Sequence, residues 1–216
     1  MKIQNYLLIV LLSIGVFAIN GIDISQATST ATYTCLKNLG YSFAIIRAYR
    51  STGTLDPAAS QNLQSARAAG LSTEVYMFPC RGKNATSQVN ELIAGISSNL
   101  YSNIWIEVEN NPSPGCSWTG YDRTSNCNFV TEAINAIKAQ GKYAGIFTSA
   151  TNWQSIFGSS SACPSVGSAP LWYAHYDHVQ EFSDFKPFGG WSEPSMKQFA
   201  SGVPLCGADV DKNWYP

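Results

Sequence analysis

From residue 22 onward the chain alternates short β-branched runs with longer helical ones, and that alternation restricts the folds open to it. Ile22-Asp23-Ile24 is strand-like, and Ala27 to Asn38 reads as a helix closed by Gly40. Phe43 to Ala48 is a second strand. Asp56-Pro57 caps an alanine-rich helix that runs to Ala69 and stops at Gly70; proline in a first helical turn forfeits no hydrogen bond. Ser72 to Phe78 alternates as a strand, and Thr86 to Leu100 carries Val89, Leu92, Ile93 and Ile96 at helical spacing. Ile104 to Asn110 is the next strand. Asn126 or Asn128 can cap a helix whose stripe is Val130, Ala133, Ile134 and Ile137, ended by Gly141. Tyr143 to Phe147, a short helix from Asn152 to Phe157, and strands at Leu171 to Ala174, Met196 to Ala200 and around Val210 complete the series. Residues 158–170 and 178–194 are interrupted by Gly and Pro and read as irregular.

Strand and helix repeating in this order call for a parallel sheet, and about eight strands in roughly 200 residues favour its closure into a barrel. The expected architecture is therefore α/β: a single TIM-barrel-like domain over residues 19–216, with room for fewer helices than strands. A doubly wound open sheet is the alternative. No GxGxxG or phosphate loop supports nucleotide binding, and no repeat of solenoid period is present.

Residues 1–18 read as a secretory signal: Lys2, then an apolar run from Tyr6 to Phe17, then small residues before a cut after Ala18. Without Lys2 the 13 basic residues become 12 against 14 acids, a net charge of 12 − 14 = −2. Such a chain has no basic footprint for nucleic acid. An oxidising compartment gives the six cysteines, 35, 80, 116, 127, 163 and 206, the meaning of three disulfides. Cys116 and Cys127, flanking one polar loop, are the expected local pair. Asn84-Ala85-Thr86 is a candidate glycosylation site. His175 and His178 stand alone without a CxxC, so loop or core roles suit them better than a zinc site.

In a β/α barrel, chemistry gathers at the carboxyl ends of the strands. Those ends carry Asp23, Arg47, Tyr76, Glu107, Glu109, Phe147, Trp172, Tyr173, Gln198 and Asp211. Glu107 and Glu109 are two apart, so a strand points both to one side, about 6.5 Å apart along it. Paired carboxylates are the minimal equipment for cutting a glycosidic bond, because burial and repulsion load one with a proton while another stays ionised. With aromatics at 12% and charged residues at only 12%, the chain also suits stacking on sugar rings.

These residues resemble those of glycoside hydrolase family 25, the Chalaropsis-type lysozymes, in its secreted branch from invertebrates and protists. Gly21-Ile22-Asp23-Ile24-Ser25 is similar to the family's opening Asp-x-Ser, and Phe43 to Arg47 to its second strand. Tyr76-Met77-Phe78 resembles its Tyr-x-Phe, and Glu107-Val108-Glu109 its Asp-x-Glu. Gly145 to Ser149 with Trp153, Leu171-Trp172-Tyr173-Ala174, Gln198-Phe199 and Val210-Asp211-Lys212-Asn213 follow in the family's order. The resemblance implies hydrolysis of the β-1,4 bond between N-acetylmuramic acid and N-acetylglucosamine in bacterial peptidoglycan. It implies Glu109 as proton donor, Glu107 as the acid that positions substrate or stabilises charge, and Asp23 and Asp211 as supporting acids. Arg47, Tyr76, Phe78, Phe147, Trp172, Tyr173 and Gln198 are then expected to bind the glycan. No cofactor and no metal is implied, and a monomer without a membrane span in the mature chain is expected, working outside the cell or in a phagosome-like vacuole.

Glu107 departs from the pattern: it is one methylene longer than the family's usual Asp, which moves its carboxyl roughly 1–1.5 Å. A catalytically weak or inactive peptidoglycan-binding barrel is therefore the competing reading. A chitinase barrel fits less well, since Ser102 and Trp105 stand where it needs acids.

Overall fold

The computed structural model describes residues 18–216, so the expected leader lies outside the described residues except for Ala18. The strands are β1 (Ile19–Ile24), β2 (Phe43–Arg50), β3 (Thr54–Leu55), β4 (Ser72–Met77), β5 (Asn103–Glu107), β6 (Tyr143–Thr148), β7 (Leu171–Ala174), β8 (Met196–Leu205) and β9 (Ala208–Tyr215). Among the described residues five α-helices accompany them: α1 (Thr30–Asn38), α2 (Ala59–Ala68), α3 (Ala85–Gly95), α4 (Arg123–Ala139) and α5 (Ala150–Phe157).

Eight strands close into a barrel in the order β1-β9-β8-β7-β6-β5-β4-β2, with β1 pairing β2 to complete the ring. The short β3 adds only an antiparallel fringe to the end of β2. From β1 through β2 and β4 to β8 the neighbours are parallel, as the alternation of elements predicts. The closure is different. β9 runs antiparallel to both β8 and β1, because two residues, Cys206 and Gly207, link β8 to β9 and are too few for a crossover helix. A wholly parallel ring is thus corrected to a mixed one.

Parity along each strand sorts the residues. Ile22, Ile24, Ile46, Val75, Ile104 and Ile106 face outward into one core shared with Leu63, Val89, Leu92, Val130 and Ile137 from the helices. Each of these side chains is essentially fully buried, a contribution of about 1.5–3 kcal/mol apiece. Phe43, Ile45, Trp105, Phe147, Trp172 and Met196 fill the barrel itself. Two glycines make that filling possible. A Cβ on Gly21 would lie 2.2 Å from the Phe43 ring, and one on Gly145 would lie 2.3 Å from the Trp105 ring. The aromatic plug closes the barrel beneath its carboxyl end, leaving a shallow cleft above it.

Helix caps shift two expected boundaries. Ser29 accepts from the Thr32 N–H and starts α1 later than Ala27. Asp122 accepts from the Ser125 N–H at 2.9 Å and starts α4 before either Asn126 or Asn128. Asn126 is instead buried, where its Oδ1 accepts from Arg81 Nε at 2.9 Å.

The expected Cys116–Cys127 bond is not formed. Cys127 sits inside α4 and bonds Cys163 in the loop after α5, while Cys116 bonds Cys80, across the loops that leave the adjacent strands β4 and β5. The third bridge, Cys35–Cys206, ties α1 to the β8–β9 turn. Among the described residues no helix is long and apolar enough to cross a membrane.

Candidate active site

The cleft is lined by Asp23, Tyr76, Glu107, Glu109, Phe147, Trp172, Tyr176, Gln198 and Asp211, with a volume of about 350 Å³ open to solvent. Its acids arrive from opposite ends of the chain. Asp23 on β1 and Asp211 on β9 are direct register partners, so their side chains meet on the inner face. Glu107 ends β5, and Glu109 follows it on the same side.

Glu109 is held by its surroundings rather than by its strand. The Val108 N–H donates to Phe147 O at 2.8 Å, extending the β5–β6 ladder by one residue. Trp118 Nε1 donates to Glu109 O at 2.7 Å, and Asn152 Nδ2 donates to Glu109 Oε1 at 2.8 Å. Asn152 is presented by the first turn of α5, which Ser149 caps.

The Glu107 and Glu109 carboxyls are in hydrogen-bonding contact. Burial, then the Glu109 and Asp23 charges, push the Glu107 carboxyl well above the ordinary range, and the Arg47 charge opposes them. The contact with Glu109 raises Glu107 further, the sign expected for the partner that keeps the proton. Burial also raises Glu109, against the hydrogen bonds from Glu107 and Asn152, which favour its ionised form.

Asp23 is pushed up from 3.8 to about 8, by burial first and the Asp211 charge second. Its Oδ1 accepts from Gln198 Nε2 at 2.7 Å and Asn213 Nδ2 at 2.8 Å, which only partly offset the rise. Asp211 is raised by burial, while the Gly202 N–H at 2.7 Å favours its charge. Two carboxylates at about 4 Å repel by roughly 4 kcal/mol at an effective dielectric of ~20, several times thermal energy. The four therefore retain protons between them at neutral pH. A site that stores protons among carboxyls beside aromatic walls is equipped for acid-assisted cleavage of an acetal.

Comparison with known proteins agrees with that chemistry. A family model described as "Lysozyme-like protein 1" matches residues 16–199. "Probable GH family 25 lysozyme 2" of Dictyostelium discoideum is 40% identical over 204 residues, covering 92% of each chain. The chain belongs to glycoside hydrolase family 25. "Lysozyme-like protein 5" of Caenorhabditis elegans is 38% identical and covers 91% of each chain. The family 25 lysozyme from Aspergillus fumigatus superimposes with a TM-score of 0.77 over 93% of this chain and 94% of that one. At 21% identity this last likeness speaks for the fold alone.

Within the family 25 barrel, eight of the residues read from the sequence come together in the cleft: Asp23, Tyr76, Glu107, Glu109, Phe147, Trp172, Gln198 and Asp211. Three others do not line it. Arg47 is tied down by Asp56 Oδ2 at 2.7 Å and Ser25 O at 3.1 Å, although its charge still reaches Glu107 and Tyr76. Phe78 lies past the end of β4, outside the cleft lining. Tyr173 faces away from the cleft, against His175, Phe185 and Phe188, since its neighbour Trp172 takes the inner position.

Three residues join the site that the strand-end reading does not reach. Asn152 orients Glu109 from a helix. Asn213 bridges Asp23 and Trp172 Nε1, the latter at 2.8 Å; its spacing of two from Asp211 is the signal that places it on the same face. Tyr176 comes from irregular chain beyond β7, where neither period nor motif points to it.

Asn84 is exposed and caps α3, its Oδ1 accepting from the Ser87 N–H at 2.8 Å.

Proposed function

We propose that this family 25 hydrolase is a secreted N-acetylmuramidase that cuts the β-1,4 bond between N-acetylmuramic acid and N-acetylglucosamine in bacterial peptidoglycan, in an antibacterial or digestive role. The observation that carries the proposal is the hydrogen-bonded Glu107–Glu109 pair opposite Asp23 and Asp211, in a cleft walled by Tyr76, Phe147 and Trp172. Glu109 delivers a proton to the departing glycosidic oxygen. Glu107, in contact with it, passes its own proton across to reload it, and the water that then adds to the anomeric carbon gives up the proton that restores the pair. Asp211, whose charge a backbone N–H favours, faces the cationic sugar that forms as the bond breaks. The aromatic faces take the rings, and no step needs a cofactor or a metal.

Three disulfides fit a secretory route and a working place outside the cell or in a phagosome-like vacuole, after removal of residues 1–18. The mature chain carries too little charge for broad electrostatic attraction to an anionic wall, so affinity rests on the cleft.

A second reading, a barrel that binds peptidoglycan and cleaves it weakly or not at all, is favoured by one observation, the longer Glu107 acid. Digestion of purified peptidoglycan followed by identification of the new reducing ends separates the two. N-acetylmuramic acid at those ends supports the proposal. N-acetylglucosamine there would assign another bond, and no new ends with retained binding would leave the binder.

A further inference from the structure

Lys197 has no accessible surface, although it lies on β8 beside Gln198, which points into the cleft. Alternation turns the lysine to the outer face, where a buried ammonium needs partners. Its Nζ donates to Asp177 Oδ2 at 2.6 Å and to Glu181 O at 3.2 Å, with Asp184 Oδ1 3.9 Å away. Asp184 Oδ2 in turn lies 2.5 Å from His175 Nδ1, and Asp177 Oδ2 lies 3.5 Å from it. Burial would raise the Asp177 carboxyl, but the Lys197 and Val179 hydrogen bonds and the Lys197 and His175 charges hold it below its usual value. His175, Asp177 and Asp184 are near enough together to suit a cation, and the ammonium already takes that place.

Every one of these partners belongs to residues 175–184, the irregular chain after β7. The same chain is stitched to β8 by His175 N–H to Gln198 O and His178 N–H to Phe199 O, both 3.0 Å. Between those stitches stands Tyr176, half exposed, lining the cleft. Its hydroxyl donates to Gln198 Oε1 at 2.8 Å, while the other end of that amide donates to Asp23. Burial and then the surrounding carboxylates keep the phenol protonated. Its oxygen has a lone pair left for a sugar hydroxyl, and its ring has a free face.

We infer that Lys197 is a positioning residue: through Asp177 and Asp184 it holds Tyr176 over the cleft, where the tyrosine binds a sugar ring of the glycan. The identity of that sugar as an N-acetylated hexosamine of peptidoglycan rests on the muramidase reading. Tyr176 contacts substrate, and Lys197 acts only through it.

The test uses the full chain with Lys197→Met, Tyr176→Ala and both together. Steady-state rates are measured on soluble peptidoglycan strands, and calorimetric Kd values for the same strands are measured in a Glu109→Gln background. Each single change raises KM and Kd about tenfold with kcat within threefold, and the double variant is no worse than Tyr176→Ala. Additive effects, or a loss in kcat at unchanged KM, would overturn the inference. If Lys197→Met does not fold, an unchanged Kd in Tyr176→Ala overturns it and a raised one supports it. Wild type that binds without cleaving removes the muramidase reading while the Kd comparison still decides this one. Wild type that does neither overturns both.

Discussion

The carboxyls of Glu107 and Glu109, two residues apart on the same side of the chain, are in hydrogen-bonding contact that raises the first and lowers the second, the signs of one proton shared between two carboxyls. A shorter acid at position 107 would withdraw from that contact. An Asp at position 107 would therefore place the proton differently, and the difference is measurable.

Glu107→Asp shortens the reach by about 1–1.5 Å and removes the hydrogen bond that favours ionised Glu109. A general acid works only while protonated, so activity falls as pH rises through its pKa. Losing the Glu107 hydrogen bond lifts that pKa, and the basic limb of kcat against pH moves upward. The misplacement also lowers kcat, by about 10–100-fold. A pH–rate profile of both proteins checks the two effects together; a basic limb that stays put would contradict the shared proton.

Asp23 binds its proton far more tightly in the folded chain than in an unfolded one, about 8 against 3.8. Its contribution to stability is fully present below pH 3.8 and is lost as pH climbs towards 8. Asp23→Asn removes that loss. Between pH 7 and 8 the variant is more stable than wild type by a few kcal/mol, on the order of what such a shift implies for a coupled group. Its kcat falls, because the cluster has lost an acid. Urea unfolding at pH 4 and pH 8 reads the predicted crossover.

Cys35–Cys206 closes a loop with a sequence separation of 171, the longest of the three bridges. Replacing both by serine lowers stability by about 4 kcal/mol at an unchanged native fold, since the β8–β9 turn is then no longer tied to α1. Denaturant midpoints at pH 6 measure the loss. Peptide mapping without reduction returns Cys80–Cys116 and Cys127–Cys163 in both proteins.

The barrel is legible where one face of a strand is apolar and the other is not. In Ile104 to Glu109 the isoleucines belong to the outer core, so Trp105, Glu107 and Glu109 have only the inside left. Arg47 shows where this fails. Parity brings it near the cleft, but Asp56 captures it, and the sequence presents Asp56 only as a helix cap. The aspartate does not cap α2, which starts at Ala59 behind Ala58; it closes the preceding turn, accepting from the Ala58 N–H with Oδ1, and holds Arg47 with Oδ2. Tyr173 fails for the opposite reason, since two adjacent aromatics at a strand end cannot both face inward. The disulfides join segments 36 or more residues apart that the fold brings side by side, so proximity along the chain misassigns Cys116 and Cys127. Tyr176 is fixed by its hydrogen bond to Gln198 on β8, a contact between chain segments with no local pattern to announce it.

The central claim is that Glu109 donates the proton in peptidoglycan cleavage, and release of reducing ends from purified peptidoglycan at mildly acidic pH tests it most directly. Wild type is expected to solubilise the wall, while Glu109→Gln, the same size and still able to accept from Asn152, clears it about 10²–10⁴-fold more slowly with binding intact. Equal rates for the two proteins, or a rate maximum clearly above pH 7, would contradict it.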